Sequence, residues 1–213
     1  MKVALIGATG YVGSRMMIEA LQRGHEVTAI TRHPERLPAV PQLYPACGDV
    51  FEQDAIATLV AGHDAVIDAF HPGWGMPDSG ERQLAGEQAI IAAVKQAGVA
   101  RLLLVGSAGT LEIAPHLDLL DTAEFPQEMK ATARASRVVL RQLRSEVELQ
   151  WTVLTPPAIL DPGQRTGSFR LDDDQLITDE YGLSKISLED YAVAMVDELE
   201  NPQHAGQRFT IGY

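Results

Sequence analysis

Three glycines at three-residue intervals, Gly7, Gly10 and Gly13 in IGATGYVG, follow the short apolar run at 2–6. That combination suits one task in particular, which is holding a diphosphate. A glycine at the strand end lets the chain reverse. A second lets backbone approach a pyrophosphate with no Cβ in the way, and a third lets the next helix pack closely on the strand. The start of that helix offers unpaired amide hydrogens and the positive end of a helix dipole to the anion. The plain alternative for the same residues is a tight strand-to-helix turn with no ligand.

The choice between dinucleotides falls to the end of the next strand. Sites selective for NAD place an acid about 20 residues beyond the glycines, against the ribose hydroxyls. Here that place holds Thr31-Arg32-His33. The planar fork of Arg32 fits a 2′-phosphate that a carboxylate would repel, so the expected cofactor is NADP, with NADPH preferred over NADH. Arg36 adds a weaker attraction at longer range.

Further chemistry-bearing residues gather in later loops. Phe70 and Trp74 in AFHPGWGMP are flat enough to stack on a conjugated ring, although packing is the commoner use of such aromatics. Ser107 and Thr110 in GSAGT could orient a substrate or polarise a carbonyl, while His71 and His116 are loop histidines able to donate a proton or simply to be solvated. Arg165 and Arg170 in GQRTGSFR are cations that would draw an anionic substrate group, or serve as turn residues. GSAG is not a five-residue nucleophile elbow. The six histidines form no zincin-like pair and Cys47 is alone, so no metal site is expected.

These residues need a scaffold, and the pattern supplies one. Apolar, partly β-branched runs at 2–6, 26–31, 43–47, 64–70, 102–106 and 151–154 alternate with helical patterns after Gly13 and near 51–61, 80–97 and 123–143. Such alternation predicts an α/β fold, a Rossmann-like doubly wound parallel sheet that binds ligands beyond the carboxyl ends of its strands. One domain spanning 1–213 is expected. Residues 156–179, rich in Pro, Gly and Asp, predict a small C-terminal substrate-side segment, a hairpin or loop over that edge. Ser187-Leu188-Glu189-Asp190 has the form of a capping box opening a last helix to about residue 200, and 208–211 reads as a final strand.

Composition narrows the partners. A formal net charge of -12 disfavours nucleic acid, which needs a concentrated basic face. No run is long and apolar enough to span a membrane, the N-terminus enters directly into a strand, and a lone Cys47 allows no internal disulfide, so a cytoplasmic protein is expected. The partner is expected to be a small molecule, with the chain a monomer or homodimer.

GATGYVG, TRHPERL, GDV at 48–50, DAVIDAF, LLLVGSAGTLE and ISLEDYAVAMVDELENPQHAGQRFT together resemble atypical short-chain dehydrogenase/reductase relatives. Within these, the chain is most similar to the compact group of candidate NADH-flavin reductases, and more distantly to the biliverdin-IXβ/flavin reductases. The resemblance implies that Gly7, Thr9, Gly10, Tyr11, Val12 and Gly13 wrap the pyrophosphate and that Arg32 meets the 2′-phosphate. It implies Asp49 and Val50 at adenine, Ala69 and Phe70 on the adenosine side, and Ser107 near nicotinamide. Pro156 and Ala158 would present backbone to the carboxamide. Asp49 and Glu52 equally have the spacing of an N-cap pair.

One departure stands out. Typical members carry Tyr-x-x-x-Lys, in which the Lys lowers the Tyr pKa so that the phenol can exchange a proton. This chain keeps Lys130, as a candidate for the nicotinamide ribose or as an ordinary helical lysine, but has Pro126 four residues earlier. A flavin or quinone accepts hydride and takes its proton from water, so a reductase of such acceptors needs no Tyr, only close stacking. Two other readings are a non-catalytic NADP-binding redox sensor and a nucleotide-sugar epimerase or dehydratase, the latter lacking its acid.

Overall fold

The computed structural model describes residues 1–73 and 75–213. In chain order the first half comprises β1 (Lys2–Ile6), α1 (Gly13–Gln22), β2 (Glu26–Thr31), β3 (Leu43–Cys47), α2 (Gln53–Val60), β4 (Ala65–Asp68), α3 (Ser79–Gln96) and β5 (Arg101–Val105). The second half comprises β6 (Glu112–Ala114), β7 (Leu117–Asp118), α4 (Lys130–Leu143), β8 (Gln150–Thr155), β9 (Ile159–Asp161), β10 (Arg170–Asp172), β11 (Lys185–Ser187), α5 (Leu188–Glu200) and β12 (Gln207–Gly212). Eight strands form one sheet in the order β10-β12-β8-β5-β4-β1-β2-β3, parallel throughout except for β10 against β12. The order reverses between β1 and β4, so the crevice of a doubly wound sheet opens at their carboxyl ends, as the sequence pattern predicts.

Alternation along β1 shows why both faces are covered. Val3 and Leu5 join Met16 of α1 and Met195 of α5 in one buried layer; Ala4 and Ile6 join Ile56 of α2, Ile90 of α3 and Val139 of α4 in the other. Residues that alternate across a strand and are all apolar must be buried on both sides, which only flanking helices allow. Among the described residues no helix is long and apolar enough to cross a membrane.

Three local expectations are corrected. Residues 156–179 form no hairpin of their own: β9 pairs in parallel with β11, and β10 adds to the sheet edge against β12. The helix expected over 123–143 starts at Lys130, after a 3-10 turn at Gln127–Met129. Pro126 lacks an amide hydrogen and turns Phe125 away from helical geometry, which sets that boundary. Ser187 does cap α5 by accepting from Asp190 N at 3.0 Å, but no box closes. Asp190 accepts instead from Thr166 N, Gly167 N and the Tyr213 hydroxyl.

Candidate dinucleotide site

Gly7 leaves β1 with φ +80°, a conformation open to glycine, and a Cβ there would meet Ala69 O at 2.5 Å. A Cβ on Gly13 would meet Gly7 O at 2.3 Å, so the start of α1 is pressed onto the loop. Gly10 differs. It is exposed, and a Cβ there would find only Gly7 O, at 3.1 Å. Gly7 and Gly13 are thus demanded by the fold, whereas the side-chain direction at Gly10 is largely open, its N–H donating to Gly7 O at 2.9 Å. No side chain caps α1 and no acid lies in its first turn. That leaves a helix start with its positive dipole end free for an anion, the cradle a pyrophosphate requires.

Neighbouring residues complete this half. Thr9 Oγ1 bonds Thr31 Oγ1 at 3.0 Å, tying the glycine loop to the end of β2. Arg32 follows, exposed and in no ion pair among the described residues, as is Arg36. Val12 packs half-buried on the core. The Tyr11 side chain leans to β9, its hydroxyl donating to Leu160 O at 3.2 Å. Asp49 Oδ1 accepts from Phe51 N at 3.1 Å, a turn that precedes α2, whose N-cap is Glu52 without a side-chain bond; the N-cap pair does not form. Val50 is buried beneath.

Ala69 abuts the glycine loop, and the Phe70 ring is clamped by Gly86 of α3, where a Cβ would fall 2.3 Å from Phe70 Cε1. Phe51 meets that ring edge-on at 6.0 Å, and Arg82 of α3 lies over Phe51 at 4.8 Å. Phe70 is thus fixed by Gly86 and Phe51 in the wall between the glycine loop and α3. Trp74, the other platform candidate, lies outside the described residues. The Phe51 and Arg82 pair was missed, because nothing local links a residue before α2 to one on α3.

Beyond β5 and β8 the polar groups are differently disposed. Ser107 is half-buried with extended backbone, and its hydroxyl has no partner among the described residues. Thr110 is corrected as a substrate contact: it is buried, its hydroxyl donates to Ser107 O at 2.8 Å, and its carbonyl accepts from Arg208 at 2.6 Å. It braces the Ser107 loop. Ala158 N donates to Ser184 Oγ at 3.2 Å, so this amide is committed away from a carboxamide, and Pro156 has no N–H to give. Lys130 opens α4, half-buried, its ammonium 3.4 Å from Thr122 O.

Arg165 is engaged within the chain as well. Its guanidinium grips Glu19 of α1 at 2.8 and 2.7 Å, because a nearly buried carboxylate must be matched by a fixed cation. Together with Arg23 at 2.7 Å this holds the Glu19 carboxyl below its ordinary range, the Arg165 bond being the largest cause. Arg170 is spent on the carbonyls of Thr178 and Tyr213. His71 Nδ1 accepts from Gly73 N, and His116 sits exposed at the tip between β6 and β7. No group of metal-ligating side chains occurs among the described residues.

Two acids under the crevice went unremarked in the sequence. Asp68, the last residue of β4, is buried, and Oδ1 accepts from Phe70 N at 2.8 Å; burial pushes its carboxyl up to about 7. Glu87 of α3 is buried as well, and burial, then the charge of Asp68, pushes it up to about 8. The available signal was an acid ending the apolar strand AVID.

A family model described as NAD(P)H-binding matches residues 7–202. The uncharacterized protein YwnB of Bacillus subtilis (strain 168) is 39% identical over 214 residues, covering 99% of this chain and 98% of its own. Among solved structures, a candidate epimerase from Bacteroides thetaiotaomicron is 44% identical with a TM-score of 0.92, over 100% of this chain and 96% of that one. A candidate NADH-flavin reductase from Streptococcus pneumoniae TIGR4 is 34% identical with a TM-score of 0.84, over 100% and 99%. The expected Rossmann-like fold and the kinship with candidate NADH-flavin reductases both hold.

Proposed function

From the premise that this chain belongs to the NAD(P)H-binding family, we propose that it is an NADPH-dependent oxidoreductase passing hydride to a conjugated acceptor such as a flavin or quinone. The observation that carries the reading is the open side-chain space at Gly10 on a helix start with no side-chain cap, beside Arg32, which has no ion pair among the described residues. Bound NADPH supplies the hydride. The chain's own part is to bind the pyrophosphate on the amides of the glycine loop, hold the 2′-phosphate with Arg32, and wall the adenosine with Phe70 and Val50.

On the acceptor side Ser107 is the one predicted residue whose hydroxyl has no partner among the described residues, while Pro126 occupies the place of a Tyr acid. An acceptor protonated by water fits such a site, because proximity of two stacked rings then supplies most of the rate. The kinship with a candidate NADH-flavin reductase supports the same choice. A non-catalytic NADP sensor is the second reading, favoured by how many acceptor-side groups are tied up in bonds within the chain. NADPH oxidation measured against a panel of flavins, quinones and sugar nucleotides tests the choice. Turnover with flavin or quinone is expected, and saturable NADPH binding with no turnover on any acceptor would select the sensor.

A further inference from the structure

We propose that Asp68 and Glu87 form a buried proton-binding pair linked to the dinucleotide crevice, so that the anionic cofactor is taken up together with a proton. The inference rests on the reading of the crevice given above. Its geometric basis is two buried acceptor oxygens that no donor reaches. The Gln83 amide donates to Glu87 Oε1 at 2.8 Å, yet Gln83 Oε1 and Glu87 Oε2 are buried with no hydrogen-bond partner. Two buried acceptors without a donor are costly, and a proton on Glu87 Oε2 supplies one.

Asp68 provides the route to the crevice. It pairs with Ile6 of β1 and Leu104 of β5, and through Phe70 N it fixes the segment whose Ala69 carbonyl abuts Gly7. No cation offsets the pair: neither acid enters a salt bridge among the described residues. The charged groups of the surrounding elements have their contacts elsewhere, with the Nε atoms of Arg82 and Arg137 buried and bonded to neither acid. Arg82 lies over Phe51, Lys130 reaches Thr122 O, Arg137 pairs with Asp118 and Asp121, and Arg101 at the far end of β5 pairs with Glu198. His71 follows in the loop, bonded to Gly73 N. The buried faces of α2 and β1 carry no charge.

Negative charge at Asp68 opposes a pyrophosphate on the glycine loop, and by linkage the pyrophosphate favours the protonated pair. The burial-raised Asp68, at about 7, puts this coupling near neutrality. Affinity for dinucleotide is expected to fall as pH rises through that range.

The test has two parts, both with wild type, Asp68→Asn and Glu87→Gln. Carbon-13 NMR of the carboxyl groups in ligand-free protein should show two acids titrating above pH 6, one lost in each variant. Calorimetric titration with NADP⁺ near pH 7, in two buffers of different ionisation heat, should then show proton uptake. Affinity should drop about fourfold to tenfold more between pH 6 and pH 8.5 in wild type than in Asp68→Asn; uptake by the 2′-phosphate itself is common to both and cancels. Both carboxyls titrating below pH 5, or equal uptake and slope in wild type and Asp68→Asn, would overturn the proposal. If both acids titrate above pH 6 and NADP⁺ binds at no pH, the crevice reading fails and the linkage with it, while the raised titration of the two acids stands.

Discussion

The two halves of the crevice use their polar groups in opposite ways. At the glycine loop and the end of β2 the charge-binding groups are left open: α1 has no side-chain cap and Arg32 has no counter-ion among the described residues, although Gly10 N donates to Gly7 O and Thr9 bonds Thr31. Beyond β5 and β8 most are spent within the chain, Thr110 on Ser107 and Arg208, the Ala158 amide on Ser184, and Arg165 on Glu19, with the Ser107 hydroxyl an exception. Exposed donors without a protein partner are satisfied by water until a ligand replaces it, whereas donors bonded within the chain stabilise the fold itself. The contrast teaches that one half leaves charge-binding groups open to solvent while the other turns most of its polar groups inward to brace its own loops.

Substitutions can break that contrast at several strengths. The largest effect is expected from Gly7→Ala, which combines a positive φ with a 2.5 Å clash on backbone. It should lower folding stability by about 3 kcal/mol in denaturant titration and abolish dinucleotide binding. Arg32→Asp should weaken NADPH about 10-fold to 100-fold with little change for NADH, read by fluorescence titration, because only the 2′-phosphate meets the reversed charge. Equal loss for both cofactors would remove Arg32 from selectivity.

On the acceptor side the predictions invert. Thr110→Val should cost roughly 1–2 kcal/mol of stability, since it strips a buried bond from the Ser107 loop, whereas Ser107→Ala should cost under about 0.5 kcal/mol and act on kcat alone. Arg165→Ala should leave KM for any acceptor unchanged while destabilising by about 1 kcal/mol. The Glu19 carboxyl is depressed in the fold, so its contribution is present above the unfolded carboxylate range and lost as pH falls through the folded value. Arg165→Ala should accordingly flatten the acid limb of a Tm against pH profile.

Much of the binding half was legible in sequence and little of the other. Apolar runs with β-branched residues mark buried parallel strands, and the glycine spacing marks the loop, because both are local requirements of backbone geometry. The late start of α4 was also legible in principle at Pro126. By contrast Arg165 finds Glu19 across 146 residues, and Thr110 finds Arg208 across 98. Such partners are set by topology, not by neighbouring sequence, so a loop arginine that reads as a substrate group becomes a brace. The same holds for β10, whose partner is the last strand rather than an adjacent one. Asp68 and Glu87 were passed over because burial, which gives them their chemistry, has no local signature beyond an acid ending an apolar run.

The most direct measurement is a titration of NADPH into wild type and Gly10→Val, with thermal unfolding of each. Gly10 is the one glycine of the three whose side-chain direction is largely open, so a valine there should leave the unfolding midpoint nearly intact while filling the space a pyrophosphate needs. Saturable binding by wild type and a loss of at least about 100-fold in the variant is the predicted result. Unchanged affinity in a folded Gly10→Val protein, or no saturable binding by wild type up to millimolar NADPH, would contradict the account.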